Sequence, residues 1–258
     1  MPIILTKPHF FVKGYINIMK KAIILAGGKG TRLYPVTLET PKPLLTVNRK
    51  PIINYLIELF ADHGVQEIKV VIRPQDREEF GWWQSRWQKN FKNVSVSFEE
   101  ETEPMGTLGY WAHQLADWTG NEPFFLTNGD ELKQVDLSEM KKHHQQNKGL
   151  VTIALVQVPN PSEYGVAILN NHQIIEFLEK PANPPTNLIS SGLYIVDPAA
   201  ISYLSSRVKN GEKFLMIEKD LFPHLAKDGK LVAYKTQGKW YDCGNLERWE
   251  KAIKEWGN

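Results

Sequence analysis

A chain of 258 residues with 42% hydrophobic residues can bury a sizeable core, which excludes disordered and fibrous classes. Its 31 Lys plus Arg stand against 29 Asp plus Glu, a balance that argues against a general nucleic-acid-binding surface, so any anion site must be local. The single cysteine, Cys243, excludes an intrachain disulfide and a cysteine-rich zinc site, and fits a reducing, cytoplasmic location.

In chain order, the opening segment holds two apolar patches interrupted by Lys7, Pro8, Lys13 and Gly14. Neither reaches the roughly 18 apolar residues of a membrane span, and no uninterrupted signal region is visible, so no membrane partner is expected. Met19 directly precedes the first buried run, so residues 1–18 read as an N-terminal extension and residues 19–258 as one domain. Apolar runs bounded by turn residues predict strands at Ala22–Ala26, Ile68–Ile72, Val94–Phe98, Phe124–Thr127 and Val151–Val156. Helical periodicity predicts helices between them at Ile52–His63, Arg77–Lys89, Leu108–Trp118 and Leu137–Asn147. This alternation gives the α/β class, an open and mostly parallel doubly wound sheet. Beyond residue 158 the rhythm changes to a hairpin around Asn170 and Asn171, strands at Leu188–Val196 and Leu231–Lys235, and a last helix with Asn245 as its N-cap. The second half is therefore an added β portion laid over the binding edge of the first.

Ligands of open α/β sheets bind beyond the carboxyl ends of the strands, and the first strand ends at Ala26. The loop "GGKGTR" follows at once. Gly27, Gly28 and Gly30 let the backbone bring N–H groups close to a nucleotide, and Arg32 and Lys42 supply charge suited to phosphates. A Walker A loop is excluded because Lys29 is followed by Gly30, and the dinucleotide fingerprint fails because Leu33 stands where its third glycine belongs. The glycines alone fit an ordinary strand-to-helix turn equally well.

The whole stretch "AGGKGTRLYPVTLETPKPLL" resembles the signature of the sugar-1-phosphate nucleotidyltransferases, which join a nucleoside triphosphate to a sugar 1-phosphate and release pyrophosphate. Further resemblances follow in order: "EPMGT" (103–107), "NGDEL" (128–132), "EYGVAIL" (163–169), "EKP" (179–181), "SSGLYIV" (190–196) and "KWYDCGNLERW" (239–249). The resemblance implies a Rossmann-like nucleotidyltransferase fold and Mg2+ as cofactor. Its partners are a nucleoside triphosphate and a sugar 1-phosphate. By the same resemblance Arg32, Lys42 and Asp130 are catalytic, and Asp130 and Asp242 hold the metal. Ala26, Gly27, Gly28, Gly30, Thr31, Glu103 and Gly106 line the nucleotide, and Asn128, Gly165, Glu179 and Lys180 bind the sugar phosphate. Such chemistry is positioning and charge neutralisation, since a sugar 1-phosphate with a second pKa near ~6 is already largely dianionic.

For the base, Glu103, with Glu101 as the alternative, offers acceptors only; guanine presents adjacent N–H donors, so the reading leans toward GTP with a mannose- or heptose-type sugar. UTP, dTTP or CTP with glucose 1-phosphate remain open, because "EEETE" also reads as a solvated acidic loop. Without the resemblance, Asp130 reads as a turn aspartate, Asp242 as a residue at a helix start and Glu179–Lys180 as a surface pair. His63, His113, His143, His144, His172 and His224 lack ligand spacing and read as structural or solvated. Trp82, Trp83 and Trp87 read as a packing patch or the contact of a homo-oligomer. Thr46 and Tyr110 depart from what many relatives carry. The sequence shows no C-terminal repeat domain, so a single activity serving polysaccharide or glycoconjugate synthesis is expected. The rivals are transfer to a non-sugar phosphate such as phosphocholine, and a non-catalytic nucleotide-binding subunit.

Overall fold

The computed structural model describes residues 19–207 and 211–257. The expectation for residues 1–18 lies outside them. The strands are β1 (Lys21–Leu25), β2 (Thr46–Val47), β3 (Lys50–Pro51), β4 (Glu67–Ile72), β5 (Ser95–Glu100), β6 (Phe124–Asn128), β7 (Glu131–Lys133), β8 (Val151–Gln157), β9 (Gly165–Asn170), β10 (Gln173–Glu179), β11 (Leu188–Val196), β12 (Leu231–Lys235) and β13 (Trp240–Asp242). Nine of them form one sheet in the order β5-β4-β1-β6-β11-β8-β12-β10-β9. β5, β4, β1 and β6 run parallel, as the alternation of strands and helices predicts. β11 turns antiparallel to both β6 and β8, and the β9–β10 hairpin closes the far edge. The parallel character thus belongs mainly to the first half, and the added β portion continues the sheet rather than forming a separate layer.

Both faces of the central strands are covered, which is why they read as unbroken apolar runs instead of alternating ones. Ile23, Phe124, Leu126 and Ile153 point into one core, while Ala22, Ile24, Phe125 and Ala154 point into the other. Helix α1 (Ile52–Asp62) buries Ile53, Leu56, Ile57 and Phe60 at helical spacing in the second core, where the Phe60 ring lies 5.6 Å from Phe125. Gly64, at φ 79°, follows the helix end. Helix α2 (Arg77–Trp87) packs beside it through Phe80 and Trp83, whose indole N–H donates to Asn54 at 2.6 Å. Of the three tryptophans singled out in the sequence, Trp83 is a core residue and Trp82 is exposed.

The helix expected over Leu108–Trp118 begins earlier. It is split by a π turn, Trp111–Leu115, into α3 (Gly106–Tyr110) and α4 (Ala116–Thr119). Helix α5 (Leu137–Asn147) starts at Asp136, whose carboxylate accepts the Ser138 and Glu139 N–H groups. Two short helices that the sequence did not announce, α6 (Ala199–Ser205) and α7 (Phe222–Lys227), cover the second half. The last, α8 (Leu246–Glu255), is capped by Asn245 as predicted, its side chain accepting from the Arg248 N–H at 2.9 Å.

The order β5-β4-β1-β6 places strands on both sides of β1, so crossovers leave β1 in opposite directions and open a crevice at its carboxyl end. No described helix is long and apolar enough to cross a membrane.

Candidate active site

Two cavities open along this edge. The first, about 350 Å³, is walled by Ala26, Gly27 and Gly28 after β1, by Lys42 and Pro43, by Glu101, Pro104, Gly106 and Thr107, and by Phe214 and Met216. The second, about 170 Å³, is walled by Arg32, Gly165, Glu179, Lys180, Ser190, Tyr194, Glu218, Asp242 and Arg248. Asn128 and Asp130 line both, so the cavities meet at the end of β6.

Backbone shapes the first cavity. A Cβ on Gly27 would sit 2.9 Å from a Glu101 carboxylate oxygen, and one on Gly106, at φ 76°, would sit 2.3 Å from the Leu215 carbonyl. Gly30 turns the loop at φ 63° into a short 3-10 turn, Thr31–Leu33, and the Thr37 hydroxyl donates to its carbonyl at 2.7 Å. Gly30 and Thr31 therefore shape the loop without lining either cavity. Lys42 lies in the turn Lys42–Leu44 between Pro41 and Pro43, which aim its buried side chain at Asp130, and the two form an ion pair.

The two candidate base readers fall in different places. Glu103 lies outside the cavity in an exposed pair with Lys213 at 2.6 Å, whereas Glu101 is on the wall and accepts the Met105 N–H at 2.9 Å. Burial raises the Glu101 carboxyl above its usual range, against the pull of that hydrogen bond. The difference has a simple cause: β5 ends at Glu100, so Glu101 is the first residue past the strand while Glu103 has already turned to solvent.

Side chains shape the second cavity. Gly165 is required where the Phe177 ring and Glu179 crowd it, since a Cβ would meet the ring at 2.3 Å. Lys180, at φ 49°, lies 3.4 Å from Glu179, and its N–H donates to the Tyr164 carbonyl. Arg32 lines this cavity and not the first, and pairs with Glu163 at 3.1 Å. Glu163 also receives Arg248 at 2.8 Å, and Arg248 reaches Asp242 at 2.7 Å. The Tyr164 hydroxyl donates to Asp242 at 3.0 Å, and burial together with that carboxylate raises the phenol.

Asp242 lies on β13, paired with β7, and not at a helix start. The Cys243 N–H donates to the Asp130 carbonyl at 3.2 Å and fastens the two aspartate segments together. Burial, with Asp242 and Asp130 alongside, pushes the Cys243 thiol up to about 12, which leaves it an inert small residue in the turn. Beneath Asp130, Lys133 is fully buried and donates to Glu131 at 3.0 Å, Thr127 Oγ1 at 2.8 Å and the Ser191 carbonyl at 2.9 Å. Burial and the neighbouring Asp130 and Asp242 charges push Glu131 up to about 6 against the pull of Lys133. Gly192, at φ 64°, makes room, since a Cβ would lie 2.5 Å from the Asn128 amide.

The sequence reading missed this supporting layer. Glu131 and Lys133 are two apart on a strand and so share one face, a signal available in "GDELK". Thr107, Glu163, Glu218 and Arg248 come from separated segments and gave no such signal. As for a metal, no group of three His, Cys, Asp or Glu able to hold one exists among the described residues. Asp130 and Asp242 nevertheless line one cavity on neighbouring segments joined by a hydrogen bond. Two carboxylates suit Mg2+ when phosphate oxygens complete the shell.

Residues 21–257 match the family model described as nucleotidyl transferase. The chain belongs to the nucleotidyl transferase family. It is 36% identical over 234 residues to a probable mannose-1-phosphate guanylyltransferase 2 of Oryza sativa subsp. japonica, covering 87% of this chain and 61% of that one. It is 37% identical over 227 residues to the mannose-1-phosphate guanylyltransferase catalytic subunit beta of Danio rerio, with the same coverage. The chain thus spans about three-fifths of these curated relatives. Among solved structures, a putative glucose-1-phosphate thymidylyltransferase from Bacillus anthracis superposes with a TM-score of 0.81 at 27% identity, covering 91% of this chain and 94% of that one. A UDP-glucose pyrophosphorylase with UDP-glucose gives 0.78 at 26% identity, covering 93% and 99%.

Proposed function

We propose that this chain transfers a nucleotidyl group from a nucleoside triphosphate to a sugar 1-phosphate, with GTP and a mannose-type sugar as the preferred pair. The observation that carries the reading is the pair of cavities joined at Asn128 and Asp130. One is bounded by glycine backbone, as a base and ribose require, and the other by carboxylates and cations, as sugar hydroxyls and a phosphate require. The oxygen of the sugar phosphate attacks the α-phosphorus, the bond to the pyrophosphate oxygen breaks, and no proton needs removing because the nucleophile is already largely dianionic.

Lys42, at the junction, neutralises charge developing on the α-phosphate. Arg32 leaves Glu163 for the triphosphate, a cheap exchange because that pair is exposed. Glu101 accepts the adjacent guanine N–H donors, in keeping with relatives named as guanylyltransferases. Glu179 accepts sugar hydroxyls and Lys180 takes the sugar phosphate. Asp130 and Asp242 are the residues that would hold Mg2+, which when bound supplies neutralisation of the repelling phosphates. We place the reaction in the cytoplasm, supplying activated sugar for polysaccharide or glycoconjugate synthesis.

Pyrophosphate release, with GTP, UTP, dTTP, CTP and ATP crossed against mannose, glucose and heptose 1-phosphates and phosphocholine, tests the reading. GTP with mannose 1-phosphate is expected to be fastest, and only with Mg2+ added. Turnover of phosphocholine alone would move the protein to the non-sugar class, and nucleotide binding without pyrophosphate release would make it a binding subunit.

A further inference from the structure

Three carboxylates of the second cavity have no role on substrate in the reaction above; Glu131 is held by Lys133 and Trp240 and Glu163 by Arg32 and Arg248, which leaves Glu218. Glu218 sits in a π turn, Ile217–Leu221, that packs against both β10, the strand ending in Glu179, and α3, the helix opening at Gly106. Such turns recur at functional sites. Its Oε2 accepts the Thr107 hydroxyl at 2.7 Å, and no other side chain donates to it among the described residues. The local structural task is already done by a neighbour, since Asp220 accepts the Met216 N–H at 2.6 Å and so fixes the entry to the turn.

A carboxylate placed beside Glu179 in a cavity of about 170 Å³ is unfavourable by itself. Burial, and more weakly the Glu179 charge, raises the Glu218 carboxyl against the pull of the Thr107 hydroxyl, its own backbone N–H and, last, Lys180. Two acceptor-only groups facing one small space call for a ligand rich in hydroxyl donors. Thr107 is also a wall of the first cavity, and its oxygen accepts the Ile217 N–H at 2.9 Å while its proton goes to Glu218. One side chain therefore touches the nucleotide cavity and fixes a group in the sugar cavity.

We propose that Glu218 is a second sugar-reading carboxylate, accepting a hydroxyl of the sugar phosphate together with Glu179, and that Thr107 is its positioning residue. The inference rests on the reaction proposed above. It makes the site selective for a fully hydroxylated sugar phosphate and against the derivative lacking the hydroxyl that Glu218 reads.

Steady-state kinetics with GTP, mannose 1-phosphate and its monodeoxy derivatives test it. Glu218→Gln should raise the KM for mannose 1-phosphate about tenfold and leave that for GTP within about twofold, the loss of one charge-assisted hydrogen bond. At least one deoxy derivative that the unaltered protein rejects should be used by Glu218→Gln as well as mannose 1-phosphate is. Thr107→Val should show a weaker form of the same split, with Thr107→Ser restoring it. If Thr107→Val does not fold, the Glu218→Gln data decide alone. An unchanged KM for the sugar, an equal rise for both substrates or an unchanged deoxy pattern would overturn the proposal. Absence of pyrophosphate release by the unaltered protein would defeat the parent reaction instead. Calorimetric titration of mannose 1-phosphate would then decide, with unweakened binding to Glu218→Gln counting against the inference.

Discussion

The two cavities are built by opposite means. The first is shaped by missing side chains, with Gly27 and Gly106 drawn against Glu101 and Leu215, on one continuous loop and one helix start. The second is shaped by charged side chains brought from β7, β10, the π turn before α7, β13 and α8. A ligand surface made of backbone must be written contiguously, because only neighbouring residues share a turn. One made of side chains can be gathered from anywhere the sheet reaches, and its members tolerate wide spacing in the chain.

The junction offers the sharpest way to break this contrast. Asp130→Asn is expected to lower turnover by about 10³-fold, or ~4 kcal/mol in the barrier, because it removes a charge serving both cavities. Circular dichroism should show the fold intact, since Asp130 is partly exposed and asparagine keeps its shape and an acceptor for Lys42. Near-normal turnover in that variant would detach the junction from the chemistry.

Stability gives the next largest effect. Lys133→Met leaves Glu131 buried without its counter-ion, beside Asp130 and Asp242. A loss of about 3–5 kcal/mol in urea unfolding is expected, the cost of breaking a buried pair from one side. A loss under 1 kcal/mol would show that Lys133 is not the base on which the second cavity stands.

The first cavity is sharpened by a pair of variants. Glu101→Gln should raise the KM for GTP about tenfold, the scale of a hydrogen bond to a charged group. Glu103→Gln should leave it nearly unchanged, because the exposed pair with Lys213 contributes ~0–1 kcal/mol. The reverse ranking would return the base reader to Glu103.

The remaining effect, read as a slope against pH, lies away from both cavities. His144 is buried against the Thr152 hydroxyl at 2.8 Å, and burial lowers its pKa to about 4. A depressed folded value means that the neutral ring stabilises the fold above the unfolded value near ~6.5 and that this stability is lost as pH falls toward 4. Unfolding free energy should fall by up to ~1.4 kcal/mol per pH unit across that window through this group, and His144→Asn should flatten the slope. An unchanged slope would assign the acid sensitivity elsewhere.

Legibility in the sequence followed the same division. Strands β1, β4, β6 and β8 were visible because they are buried on both faces, and Gly64 and Asn245 marked helix ends by chemistry the structure repeats. The glycine loop and the aspartates stood in contiguous motifs and could be placed by number. The choice between Glu103 and Glu101 stayed open because nothing in "EEETE" shows where β5 ends. Glu218 and Arg248 stayed invisible, since a lone Glu in "MIEKDLF" or a lone Arg in "NLERW" reads as a solvated helix charge until the sheet folds it inward. The π turns, set by tertiary packing and not by local propensity, were also beyond reach.

The central claim is that one molecule holds nucleotide and sugar in adjoining cavities that meet at Asp130. A crystal structure with GDP-mannose and Mg2+ measures this directly. The account predicts the base against Gly27, Gly106 and Glu101, the mannose against Gly165, Glu179 and Glu218, and the diphosphate passing Asn128 and Asp130. A sugar nucleotide lodged instead in the larger groove of about 760 Å³ between Gln157–Asn160, Lys235–Trp240 and Lys251 would contradict it.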